Sequence, residues 1–300
     1  MAGVSRRFDC AEPVERAKGI AEAISALRRG ELVVLPTDTV YGVGCDAFTP
    51  AAVTTLLDAK GRGREMPPPV LVGSVRAATA LVEDLGTYGQ DLIDEFWPGA
   101  LTIVCRANRN LAWDLGETKG TVAVRMPLHE VALELLKEAG PLAVSSANLS
   151  GEPAARTAEE AEERLGDAVS VYLDAGPAGQ GEASTIIDLT GPVPRLLRAG
   201  AVSEQKLRSV VGVILTDDDD EEDDDLDATP PTLRKEDDAA PEPRGEDAAA
   251  PTLRKEDAPA PTLRKEDAAA LTPREGDDAA PESRGEDAAA PALRKEDEGG

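Results

Sequence analysis

Six short segments of this sequence carry residues able to hold an anion or a polar small molecule, and each sits beside or at the end of an apolar run. Pro36-Thr37-Asp38-Thr39-Val40-Tyr41-Gly42-Val43-Gly44 follows Leu32-Val33-Val34-Leu35, placing hydroxyls and accessible backbone where a ligand could approach. Lys60-Gly61-Arg62-Gly63-Arg64 interleaves three cations with glycine: glycine lets the backbone come close to an anion, and the cations supply charge and donors. This is neither G-x-x-x-x-G-K-[ST] nor G-x-G-x-x-G, so it is not one of those phosphate loops. Thr121-Val122-Ala123-Val124-Arg125 ends in a guanidinium, whose fork suits a carboxylate or phosphate. Leu142-Ala143-Val144 breaks into Ser145-Ser146-Ala147-Asn148, a turn rich in hydroxyls and amide. Ala183-Ser184-Thr185-Ile186 and Arg195-Leu196-Leu197-Arg198 repeat the layout. Read singly, each segment is as well explained by a polar turn or a solvated loop; together they could converge on one anionic ligand.

Strand ends of this kind need a sheet to bring them together. Strands are expected at 32–35, 70–72, 101–105, 121–124, 142–145, 169–173, 185–189 and 195–197. Pro13 and the apolar positions Ala17, Ile20, Ala21, Ile24 and Leu27 predict a helix ending near Gly30, and Thr49-Pro50 opens another through about Ala59. Further helical patterns fall near 75–83, 88–96, 129–138, 157–165 and 203–210. Strands 101–105 and 121–124 follow one another without a strong helix between them, so the expected fold is α/β with one twisted, mixed parallel and antiparallel sheet flanked by helices.

Composition divides the 300 residues unequally. Residues 1–216 hold 21 Lys and Arg against 29 Asp and Glu and all eight aromatic residues, whereas 217–300 hold 11 against 29 and no aromatic. A catalytic domain is therefore expected over 1–216 and a disordered acidic tail over 217–300, opened by nine consecutive acidic residues at 217–225. From Pro231 the tail repeats every ten residues, with Arg at 234, 244, 254, 264, 274, 284 and 294. Each unit is too poor in apolar surface to offset its ordering entropy, and a solubilising appendage is the simplest reading. The N-terminus has no apolar signal region and no stretch reaches the roughly 18 apolar residues of a span. Three scattered cysteines without a C-x-x-C pair argue against a disulfide framework, and a cytoplasmic location is expected. His129 is the one histidine, which excludes a multi-histidine metal site; it reads as a surface or cap residue. Cys45 reads as a small buried thiol, and Trp97-Pro98-Gly99 as a turn that ends a helix.

The ordered set PTDTVYGVGCDA, KGR at 60–62, WPGALTIV, VAVRMP, SSANLSG, STIIDLTG and LLRAG resembles the YrdC-like threonylcarbamoyl-AMP synthases over about residues 15–210. The resemblance implies an enzyme that joins L-threonine, bicarbonate and ATP, with magnesium, into L-threonylcarbamoyladenylate and pyrophosphate. The product would be handed to a complex that transfers the threonylcarbamoyl group to tRNA, with weak tRNA binding by the enzyme itself as a further expectation. It also implies a mixed sheet around a cationic cavity. Carried over by motif, Lys60, Arg62, Ser146 and Asn148 are expected to hold the nucleotide's phosphates, with Thr121 and Arg198 as further ATP contacts. Lys60 and Arg62 take the catalytic role of stabilising the transferring phosphoryl group, and Thr39, Arg125 and Ser184 are expected to hold threonine. No metal-ligating side chain is expected. The sequence departs from the family at Leu71, where many members have histidine, at Ala154, where serine is common, and at Met66-Pro67-Pro68-Pro69.

Such chemistry needs little machinery. A carbamate formed on threonine's amine is already a nucleophile, so the protein supplies alignment of mutually repelling anions and charge for the departing pyrophosphate. The rival from another class is a non-catalytic RNA-binding module, against which stand the net negative charge of residues 1–216 and the lack of clustered basic and aromatic residues.

Overall fold

A computed structural model describes residues 6–179 and 181–216; the expected acidic tail and its boundary at 216/217 lie outside the described residues. In chain order the elements are β1 (Arg6–Asp9), α1 (Pro13–Arg28), β2 (Val33–Leu35), β3 (Gly42–Asp46), α2 (Pro50–Lys60), β4 (Val70–Leu71), α3 (Val75–Leu81), α4 (Gly86–Phe96), β5 (Leu101–Arg106), β6 (Thr121–Arg125), α5 (Glu130–Ala139), β7 (Leu142–Ser146), α6 (Ala158–Leu165), β8 (Val171–Asp174), β9 (Thr185–Asp188), β10 (Arg195–Arg198) and α7 (Glu204–Val211). The strands form one mixed sheet in the order β1-β8-β2-β3-β7-β4-β6-β5-β9-β10. Pairs such as β4 with β6 are parallel, and β5 with β6 antiparallel, as the close spacing of those two strands required.

The sheet's two faces are covered differently. On one face, Leu101, Ile103, Cys105, Val122, Val124 and Ile187 are buried in the larger core together with residues of α2, α3, α4, α6 and α7. On the other, α1 and α5 bury Phe8, Val33, Leu35, Leu71, Leu142, Val144 and Leu173, all from the β1-to-β4 half of the sheet. No helix of that second layer reaches β6, β5, β9 or β10, where Val104, Ala123 and Ile186 stay half-buried. The candidate site lies where this second layer stops.

Helix ends follow ordinary capping chemistry. Pro13 and Pro50 each occupy a first turn, Ser74, Thr157 and Ser203 accept backbone N–H bonds as N-caps, and Gly61 ends α2 at φ 60. Two strands go beyond the sequence reading. β1 is a four-residue edge strand of mostly exposed residues, lacking the apolar run that marks a strand. β3 lies within the segment read as a polar ligand loop, and its glycines are there because of packing. A Cβ on Gly42 or Gly44 would lie 2.6 or 2.7 Å from the Val144 side chain on β7, so only glycine lets the two strands pair. Cys45 is fully buried in β3, as expected, and burial pushes its thiol up to about 12. None of the described helices is long and apolar enough to cross a membrane.

Candidate functional site

A cavity of about 290 Å³ opens at the end of the second helical layer and draws on five of the six segments singled out by sequence, together with Arg62 of the remaining one. Thr39, Arg62, Arg125, Ser146, Ser184 and Arg198 all line it, brought together from loops and strand ends far apart in the chain. Leu71, Ala154, Pro67 and Pro69, the departures from the family pattern, form part of its wall.

Arg125 is the organising cation. It is 6% exposed; its Nε donates to the Gly99 carbonyl at 2.9 Å, Nη1 to Thr39 Oγ1 at 3.0 Å, and Nη2 to Asp38 Oδ1 at 2.6 Å. A guanidinium has five N–H donors, so one remains on each terminal nitrogen, the fork a carboxylate can accept. Burial lowers the Arg125 pKa and the Asp38 carboxylate opposes the fall, so the charge is retained. Asp38 is fixed in turn by the Leu128 N–H at 3.0 Å, and Thr39 by the Thr37 hydroxyl at 3.0 Å. Glycine is obligatory at 99, where a Cβ would lie 2.4 Å from the Phe96 carbonyl oxygen. Asp38, Thr37 and Gly99 are supports the sequence reading did not assign. The acidic residue between two threonines was the available signal for Asp38, whereas nothing local marks the Gly99 carbonyl.

Also in the lining, Arg198 grips Ser184: Nε and Nη2 donate to the Ser184 carbonyl at 3.0 and 2.7 Å, and Nη2 also to its Oγ at 3.0 Å. The Ser184 hydroxyl also lies 2.8 Å from Thr102 Oγ1. These bonds leave the Arg198 Nη1 group for a ligand. Arg62 faces the same cavity, and its buried Nε has no acceptor among the described residues, an arrangement that suits an anion.

Three expected nucleotide contacts stand elsewhere. Lys60 is 1% exposed and does not line the cavity. Its ammonium donates to the Ser146 and Asn148 carbonyls, both at 2.5 Å, and to Asn148 Oδ1 at 3.2 Å. The Asn148 amide nitrogen donates to the Leu149 and Glu152 carbonyls. Both side chains are therefore engaged inside the protein, where they tie down the 146–148 turn. Burial, with Arg62 nearby, pushes the Lys60 pKa down to about 8. Thr121 sits at the far end of β6 from Arg125, its hydroxyl donating to the Thr118 carbonyl at 2.8 Å. Four residues of strand, about 13 Å, separate it from the cavity's arginine, though both point to the open sheet face. His129 begins α5 as its N-cap residue without a side-chain cap bond, half-buried and outside the cavity lining, and burial lowers its pKa.

None of the lining residues is Cys, His, Asp or Glu, so the cavity offers anion-binding donors and no lining base to activate its serine and threonine hydroxyls. Among the described residues no cluster of three His, Cys, Asp or Glu could hold a metal ion.

The Sua5/YciO/YrdC family model, described as telomere recombination, matches residues 25–200. A Mycobacterium tuberculosis H37Rv protein, provisionally named a threonylcarbamoyl-AMP synthase, is 55% identical over 210 residues, covering 70% of this chain and 97% of its own length. The Bacillus subtilis threonylcarbamoyl-AMP synthase is 37% identical over 201 residues, 66% of this chain and 58% of that protein. Among solved structures, Pyrococcus abyssi Sua5 complexed with L-threonine superposes with a TM-score of 0.66 at 35% identity, covering 71% of this chain; the chain spans 62% of that protein's length. With the matched region running from α1 to the end of the Arg198 wall, this chain belongs to the Sua5/YciO/YrdC family.

Proposed function

We propose that this chain is an L-threonylcarbamoyladenylate synthase, joining L-threonine, bicarbonate and ATP with release of pyrophosphate. The observation that carries the reading is the convergence of Arg62, Arg125 and Arg198 with Thr39, Ser146 and Ser184 in one cavity whose lining holds no base to activate a hydroxyl. The names of the Mycobacterium and Bacillus relatives and the threonine complex of the Pyrococcus protein support it.

In this reading Arg125 binds the threonine carboxylate through its two remaining donors, while Thr39 and Ser184 orient the amine and hydroxyl. The neutral amine adds to carbon dioxide derived from bicarbonate, and the resulting carbamate oxygen attacks the α-phosphorus of ATP as pyrophosphate leaves. Arg62, Arg198 and Ser146 receive the phosphates, and Lys60 and Asn148 hold the turn that presents Ser146. Donors already fixed by hydrogen bonds need little rearrangement as charge shifts toward the leaving group, which is the condition for effective electrostatic stabilisation. Magnesium enters as part of the nucleotide complex, neutralising phosphate charge. A cavity of about 290 Å³ is at the lower limit of ligand sites, roughly 300–1,000 Å³. In this reading the nucleoside extends over the open sheet face past Ala123 toward Thr121, the residue expected to contact it.

The catalytic domain in this scheme is 1–216, working in the cytoplasm, with 217–300 as an appendage. The adenylate is passed to a tRNA threonylcarbamoyl-transfer complex. A non-catalytic RNA-binding role finds less support, because the buried donors are spaced for a small carboxylate and phosphates. The test is product analysis with each substrate omitted in turn: pyrophosphate and a threonine-containing adenylate are expected only when threonine, bicarbonate and Mg-ATP are all present. Pyrophosphate release independent of threonine would overturn the assignment.

A further inference from the structure

The floor of the Arg125 cavity is one row of side chains running across the sheet, and between its two arginines stand Thr102 and Ile186, which the reaction as described does not use. Leu71 on β4 pairs with Arg125 on β6, Thr102 on β5 with Ile186 on β9, and Ile186 with Arg198 on β10. Ile103 pairs with Val124, which sets Thr102 beside Arg125 one step along. All five residues of the row line the cavity. At the spacing of neighbouring strands, Arg125 and Arg198 stand about 14 Å apart, with Thr102 and Ile186 between them. A bulge completes the row: Leu196 pairs with Ile187, but the next pair is Arg198 with Ile186, so the extra residue, Leu197, is left exposed and Arg198 is brought to the cavity.

Thr102 is 1% exposed and Ser184 6%, and their hydroxyl oxygens lie 2.8 Å apart. Ser184 Oγ also accepts from Arg198 Nη2 at 3.0 Å, and among the described residues neither hydroxyl has another hydrogen-bond partner. A hydroxyl carries two lone pairs and one proton, so the pair spends one proton between its oxygens and keeps one. Thr102 is the more deeply buried and donates to Ser184; both Ser184 lone pairs are then filled, and its proton turns to the cavity. Ser184 is held in place, since Arg198 grips its carbonyl and Gly200 packs where a Cβ would lie 2.7 Å from its carbonyl carbon. The apolar neighbour of this proton is the half-buried Ile186.

We propose that Thr102 is a positioning residue for amino-acid selection: by donating to Ser184 it aims the Ser184 proton at the side-chain hydroxyl of the substrate, while Ile186 receives the methyl group on the same carbon. This rests on threonine being the substrate, as argued above. With the carboxylate on Arg125 and the phosphates toward Arg198, the substrate's Cα lies over the floor between them. There a donor and an apolar surface adjoin, as the hydroxyl and methyl of threonine do. An amino acid without the hydroxyl leaves the Ser184 donor unpaired in a buried site, and one without the methyl loses an apolar contact.

The test measures, by calorimetric titration of the full chain, the affinities for L-threonine, for L-2-aminobutyrate, which lacks the hydroxyl, and for L-serine, which lacks the methyl. Thr102→Val is expected to reduce the preference for threonine over 2-aminobutyrate about tenfold, and Thr102→Ser to stay within about twofold of the native ratio. In turnover, the Thr102→Val loss is expected in threonine KM and not in kcat. Placed in a Ser184→Ala background, Thr102→Val is expected to add nothing to the loss of selectivity, because the proton it aims is gone. Ile186→Ala is expected to reduce the preference for threonine over serine about tenfold while keeping the 2-aminobutyrate ratio. An unaltered 2-aminobutyrate ratio in Thr102→Val, or equal losses on all three amino acids, overturns the proposal. Should that variant not fold, a native 2-aminobutyrate ratio in Ser184→Ala overturns it equally. An unaltered serine ratio in Ile186→Ala overturns the placement of the methyl. A native chain that binds threonine but releases no pyrophosphate with it would instead count against the proposed function, while the affinity ratios still decide the role of Thr102.

Discussion

Two cavities among the described residues are lined with cations, and they differ in how those cations are held. The larger, about 440 Å³, lies around the far end of β5 and β6 and includes Arg106, Arg109, Lys119 and Trp113. Its Arg109 side chain is 81% exposed and paired with Glu83 at 2.8 Å, and Arg106 and Lys119 are exposed. The smaller cavity holds Arg125 at 6% exposure, with every guanidinium nitrogen already fixed by a neighbour. Cations in water are screened and lose side-chain entropy when they bind, whereas a buried guanidinium held by a carboxylate and carbonyls acts in a low dielectric and is already oriented. Volume and charge alone do not distinguish the two regions; burial with partly satisfied donors does.

Substitutions sharpen that contrast. Arg125→Ala is expected to lower kcat/KM for threonine at least about 100-fold, the cost of removing a buried charge-assisted contact and leaving Asp38 unpaired. Arg125→Lys should recover little of it, because an ammonium cannot reproduce the fork. Activity near wild type in Arg125→Ala would erase the distinction between the cavities.

Asp38→Asn keeps the shape but removes the charge facing Arg125. We expect threonine KM to rise about tenfold with kcat nearly unchanged, read from initial rates at saturating ATP. A loss confined to kcat would mean that Asp38 acts on the reacting atoms and not on substrate position.

Lys60→Met leaves the Ser146 and Asn148 carbonyls without their donor. It should lower thermal stability by roughly 2 kcal/mol, a fall in Tm of about 4–8 °C by calorimetry, and weaken ATP binding several-fold. A pH profile separates these effects. With its pKa near 8, Lys60 is an ammonium below that pH and an amine with one N–H fewer above it. ATP affinity is therefore expected to decline from pH 7 to 9 in the native chain and to stay level in Lys60→Met, measured by equilibrium binding.

At the other cavity, Arg109→Ala should change stability by no more than about 0.5 kcal/mol and leave turnover within twofold, as an exposed ion pair predicts. A large loss of turnover there would break the comparison by showing that the exposed cations serve the reaction.

Much of this organisation was legible beforehand because it is local. Apolar runs flanked by Arg125, Ser146, Ser184 and Arg198 identify both strands and strand ends, and Pro and Gly punctuate the helices. β1 and β3 were not legible: one is short and exposed, and the other owes its glycines to a neighbour 100 residues away in sequence, a relation no local window contains.

The sequence by itself determined the α/β alternation, the acidic division at 216/217 and the residue types able to hold carboxylate and phosphate, because propensity, periodicity and charge are properties of short segments. Only the tertiary structure decided what each cation does. Lys60 and Arg62 are two positions apart, yet the last turn of α2 buries one under the 146–148 turn while Gly61, at φ 60, turns the other into the cavity. Which donors remain for a ligand depends on the acceptors that folding brings within about 3 Å, and those come from distant parts of the chain.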